Sequence, residues 1–202
     1  MDPDREKLFG GLAILGGVLS VIVSVPSSWY GLRPRDSYVF DPQPLSPMWI
    51  ERELVPVLTV IAIVALLIGL LGLVVRDWST FGRVRRWGGV GSILGLGGLT
   101  VAVPVILYAS RGRPGVGAIV VLGAFAGGVI SALFLALGLL LLGYGYRAQH
   151  RERIGYAFLG VLVVVSVLGF FAPSPYDSLL ASLPVAIAWV IVGHDLWNNP
   201  GT

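Results

Sequence analysis

Reactive side chains are few in this chain, and their placement limits the chemistry open to it. Cysteine is absent, so no disulfide, thiolate metal site or cysteine nucleophile can form. The histidines are His150 and His194. His194 with Asp195 offers one imidazole and one carboxylate; a metal would need more ligands, and His150 is the one other histidine to supply them. Ordinary polar residues at a membrane surface are the simpler reading of both. Asp36, Asp41, Glu51 and Glu53 supply carboxylates, but their spacing matches neither an acid–base dyad nor a calcium loop. Gly89-Val-Gly91-Ser-Ile-Leu-Gly95 is close to a dinucleotide-binding glycine pattern. Its last spacing is one residue too long, and it follows a basic turn rather than a strand. No P-loop, zincin motif or serine nucleophile elbow is present. The expectation is a chain with no catalytic, cofactor-binding or metal-binding residues, and not an enzyme.

The elements that would carry such groups are apolar runs. They cover residues 8–25, 55–75, 90–109, 116–142, 154–172 and 176–193, the last having the shortest apolar stretch, Leu179–Val192, with Pro184 inside it. None of their apolar stretches contains Asp, Glu, Lys, Arg or His. About 20 apolar residues at 1.5 Å rise cross the hydrocarbon core. Apolar residues make up 55% of the 202 and charged residues 12%, about half the share of a soluble domain. Mean hydropathy is +0.85. Lipid must therefore be part of the solvent, and the chain reads as an all-α polytopic bundle of about six spans in a single domain. The first run is expected to remain as a span, because Asp2, Asp4 and Glu6 weaken a signal-peptide start.

Trp29, Tyr30, Trp49, Trp78, Trp87, Tyr108, Tyr144, Tyr146, Tyr156, Tyr176 and Trp197 lie near the run ends, the depth that amphipathic rings prefer. Arg5, Lys7, Arg76, Arg83, Arg85, Arg86, Arg147, Arg151 and Arg153 fall on one side. They outnumber Arg33, Arg35, Arg52, Arg111 and Arg113 on the other. The positive-inside rule then puts both termini in the cytoplasm of a cell membrane. Arg83, Arg85, Arg86, Arg147, Arg151 and Arg153 form a basic belt that sets topology or meets lipid headgroups. Its position argues against nucleic acid as a partner. Lys7 is the single lysine, a bias that suggests a high-GC prokaryotic genome.

The proline- and aromatic-rich outer loop, residues 26–54, holds Tyr38, Phe40 and Trp49. Three odd-numbered spans open alike, at Arg5-Glu-Lys-Leu-Phe-Gly-Gly11, Arg85-Arg-Trp-Gly-Gly89 and Arg151-Glu-Arg-Ile-Gly155. Two even-numbered spans close alike, at Val75-Arg-Asp-Trp78 and Gly193-His-Asp-Leu-Trp197. Three helical hairpins are one explanation; common membrane-edge composition is the other.

Inside lipid, helices associate through close packing at small residues. Gly16, Ser20 and Ser24 line the first span; Gly88 with Ser92, and Gly91 with Gly95, line the third. Ala124, Gly128, Ala132 and Ala136 line the fourth, with Gly123, Gly127 and Ser131 alongside. The expectation is that spans one, three and four form the tight centre. Pro104 and Pro184 are expected to bend their helices.

Two functions follow. The first is a non-catalytic accessory or interaction subunit of a membrane complex, with membrane lipids and a membrane protein or second copy as partners. The alternative is a channel or carrier for a neutral or weakly polar solute, using Ser24, Thr59, Thr100, Ser131 and Ser166. A lipid-modifying enzyme would need His194, Asp195 and the arginines around one pocket. Ion-coupled pumping lacks an intramembrane ionisable group.

Overall fold

The computed structural model describes residues 2–30, 44–110, 117–149, 151–171 and 177–199. Among them the chain is helical, with no strand. Its elements are α1 (Pro3–Tyr30), a short α2 (Pro47–Trp49), α3 (Val55–Asp77), α4 (Arg83–Ser110), α5 (Ala118–Arg147), α6 (Glu152–Phe171) and α7 (Asp177–Asn198). A π-helical turn, Ile50–Leu54, joins α2 to α3, and a 3-10 turn, Trp78–Thr80, follows α3.

The helices outrun the apolar runs because polar residues suited to helix ends extend them. Asp2 Oδ1 accepts the Asp4 N–H at 3.2 Å, and Pro3, Asp4 and Glu6 fill the first turn of α1, where a missing donor and negative charge are favoured. Pro56 stands at the start of α3, and Arg147 in the last turn of α5. Pro26, placed by sequence in the outer loop, lies inside α1, and Pro104 and Pro184 lie inside α4 and α7. Residues 31–43 of that loop, with Asp36, Tyr38, Phe40 and Asp41, lie outside the described residues.

Five segments are long and apolar enough to cross a membrane: Pro3–Pro26, Val55–Thr80, Arg83–Tyr108, Ala118–Arg147 and Ser178–Asn198. The chain is a multi-pass membrane protein. The last segment, weakest by sequence, is among them because α7 continues past its apolar run to Asn198. α6, which falls on the predicted run 154–172, has 20 residues and rises about 30 Å but is not among the five.

The six long helices form a closed ring in the order α1, α3, α4, α5, α6, α7, with α7 packed back on α1. Sequence neighbours among the long helices are spatial neighbours, as the short connections after α3 require. The expected centre of spans one, three and four is corrected here. α4 and α5 share the most extensive contact, but α1 packs on α3 and α7 instead. The reason is that α1 has two small-residue faces. A Cβ on Gly16 would stand 2.8 Å from the Leu66 nitrogen of α3, and one on Gly10 would stand 2.7 Å from the Gly193 carbonyl oxygen of α7.

Large buried side chains gather at one end. Leu70, Leu73, Leu142, Tyr146, Phe158, Trp189 and Leu196 form the centre of the core. Its deepest large members, Leu66 in α3 and Leu96 in α4, lie eleven residues from Asp77 and Arg85 respectively, so the core reaches about 16 Å along the axis. Beyond it the buried side chains among the described residues are small: Ala62, Ala65, Ala102, Ser131 and Ser182.

Candidate functional site at the basic end of the bundle

Asp77, the last residue of α3, sits where the negative end of the helix dipole disfavours a carboxylate. Three donors, two on helices and one just before the start of α6, compensate. Tyr146 Oη of α5 donates to Asp77 Oδ2 at 2.8 Å. Arg76 Nε donates to Oδ1 at 2.9 Å, and Arg151 Nη1, just before α6, donates to Oδ2 at 3.1 Å. The Asp77 side chain is 5% exposed.

Asp195 of α7 joins the same cluster. Arg76 Nη2 donates to its Oδ2 at 2.6 Å, and Arg151 Nη1 stands 3.8 Å from that oxygen. Two guanidinium groups and two carboxylates therefore offset one another, as buried charges must. The Arg-Asp-Trp and His-Asp-Leu-Trp endings, alike in sequence, meet here in space. Glu6 is fully buried on α1. Phe9 faces Gly72 and Ala13 faces Gly69, so this register sets Glu6 level with Arg76.

Arg85 of α4 makes a second arm and is 3% exposed. Its Nη2 donates to the Thr80 carbonyl at 2.6 Å and to Gln149 Oε1. The guanidinium lies 4.6 Å from the Phe81 ring centroid and 5.2 Å from that of Tyr146, a cation–π arrangement. Gly145 makes this possible, because a Cβ there would overlap the Arg85 stem. Aromatic rings continue into the core: Phe81 meets Tyr146 at 5.9 Å, Tyr146 meets Phe158 at 6.4 Å, and Phe158 meets Trp189 at 5.9 Å. Trp189 Nε1 ends the chain by donating to the Leu66 carbonyl at 3.1 Å.

The three look-alike openings occupy matching places in the ring. Each sets an ionisable residue four positions before a glycine that packs on the preceding helix. Glu6 precedes Gly10, which meets α7; Arg85 precedes Gly89, which meets Val74 of α3; Arg151 precedes Gly155, which meets Gly143 and Arg147 of α5.

The basic belt divides. Arg85 and Arg151 turn into the network, while Arg83, Arg86, Arg147 and Arg153 remain on the exposed surface. Arg86 lies 5.7 Å from the Trp78 ring and Arg147 lies 5.4 Å from that of Tyr156. His194 is exposed and shares a 2.8 Å hydrogen bond with Asn198 Nδ2, so it points away from its neighbour Asp195. His150 lies outside the described residues, and among those described no cluster of three metal-ligating side chains occurs.

The packing residues also divide. Gly91 and Gly95 of α4 approach α5, as do Gly88 and Ser92. On α5 the contact is made chiefly by Gly138, where a Cβ would overlap Ser92. Gly128 has ordinary contact, 3.6 Å from Ala102, and Ala132 is exposed. Gly123 and Gly127 face open space among the described residues. Ser20 Oγ donates to the Gly17 carbonyl of its own helix. Composition does not distinguish Gly127 from Gly138; only the tilt and register of α5 on α4 do. The Asp77 network was missed because its residues lie just past the apolar runs. The recurring Arg-Asp and His-Asp endings were the available signal.

Compared with protein-family models, curated proteins and solved structures, the chain finds no match in any of the three.

Proposed function

We propose that this protein is a non-catalytic component of a membrane complex, working through contacts with another membrane protein or a second copy of itself. The observation that carries this reading is the division of α5. Its second half is built into the core, whereas Gly123 and Gly127 of its first half form a smooth stripe, uncovered among the described residues and flanked by exposed Ile119, Leu122 and Phe125. Small-residue stripes allow close helix approach in lipid. The polar network supports the same reading, since Asp77, Asp195, Arg76 and Arg151 bond to one another and hold helix ends. Absence of enzymatic activity is part of the proposal, as are residence in the cell membrane and termini in the cytoplasm.

The core of Leu70, Leu73, Leu142, Phe158 and Trp189 counts against a solute path. So do the hydroxyls assigned to one: Ser24, Thr59 and Thr100 bond to carbonyls of their own helices. The test is purification from native membranes in mild detergent, with mass spectrometry of what accompanies the chain. A stoichiometric protein partner or a homo-oligomer lost on Gly127→Leu is expected. A monomer that conducts a neutral solute after reconstitution overturns the reading.

A further inference from the structure

Among the described residues, Arg83 and Arg86 form no ion pair, unlike Arg76 and Arg151. They flank an open surface hollow of about 470 Å³ lined also by Phe81, Trp87 and Val90. The first turn of α4 adds the positive end of a helix dipole. Below the arginines runs an apolar track: Trp87, Leu94 and Val101 recur every seven residues on one face and are 66%, 57% and 70% exposed.

We propose that this hollow is a binding site for one anionic phospholipid, with its phosphate between Arg83 and Arg86 and an acyl chain along Trp87, Leu94 and Val101. A soluble anion would use the arginines but not the track. A zwitterionic lipid would use the track but bring a cation to the arginines. Two other arginines of the belt offer less: Arg85 is buried on Gln149 and Thr80, and Arg151 is held by Asp77. The inference requires only that the basic end lies at a membrane surface, so it stands or falls separately from the partner reading above.

The test uses the full chain in phosphatidylcholine nanodiscs with added phosphatidylglycerol, bound lipid being counted by native mass spectrometry. Arg83→Gln/Arg86→Gln should weaken retention of one phosphatidylglycerol about 10- to 30-fold, at about tenfold or less per arginine near a surface. Arg147→Gln/Arg153→Gln should leave it within about twofold. Leu94→Gln should weaken lipid retention without changing the response to inorganic phosphate. Equal retention in both double variants overturns the proposal. Protection by inorganic phosphate equal to that by the lipid also overturns it, leaving a simple anion site. Because Arg83 and Arg86 are exposed, an unchanged melting temperature in detergent will separate loss of binding from loss of fold.

Discussion

The two halves of this bundle are built on different principles. At the basic end six helices enclose large side chains, and the rim is tied by Asp77, Asp195, Arg76, Arg151 and Tyr146. At the opposite end the same helices touch through Ala62, Ala102, Ser131 and Ser182, and the first half of α5 buries no side chain before Ser131. A side chain leaving lipid for a helix interface gains no burial from water, so packing and polar bonds must supply the stability. The basic half has both. Among the described residues of the other half the buried side chains are small, and apolar surface is left for lipid or a partner.

Removing the centre of the network should expose that difference most. Asp77→Ala leaves the buried Tyr146 phenol without its acceptor and two guanidinium groups with Asp195 alone, and should cost about 3–5 kcal/mol in a detergent melt. A parent-like melt would mean that the ion pairs do not hold the rim. Next comes a matched pair of glycines on one helix. Gly138→Leu should destabilise by about 1–3 kcal/mol or more through overpacking, whereas Gly127→Leu should leave the isolated chain unchanged. Equal losses would show that the open half is packed in the chain itself. Tyr146→Phe keeps the ring and deletes one buried donor, so a loss of about 1–3 kcal/mol is expected by chemical denaturation. The smallest effect belongs to Thr100→Ala, within about 0.5 kcal/mol, because its hydroxyl bonds to Leu96 of its own helix. A larger shift would give that hydroxyl a role beyond α4.

Much of the architecture was legible because each span announces itself. Runs free of charge, bounded by Trp, Tyr and Arg, mark where helices enter and leave lipid. α7 was the least certain since its apolar run is short, yet Gly193 to Asn198 continue the helix past it. Helix partners were not legible. Gly16 belongs to a stripe like that of Gly123, but Gly16 abuts Leu66 while Gly123 meets nothing described. The stripe says that an approach is possible; it does not say which neighbour makes it.

The sequence by itself determined membrane residence, the helical class, the approximate spans and the gathering of arginines at one end. These follow from local composition, since lipid demands long apolar helices and charge must lie at their ends. Only the tertiary structure decided that α7 closes the ring on α1, that Arg85 and Arg151 turn inward while Arg83 and Arg86 turn out, and that Asp77 and Asp195 share Arg76. Those outcomes depend on helix rotation and register, where a shift of one residue turns a side chain by about 100° and carries it from lipid to core.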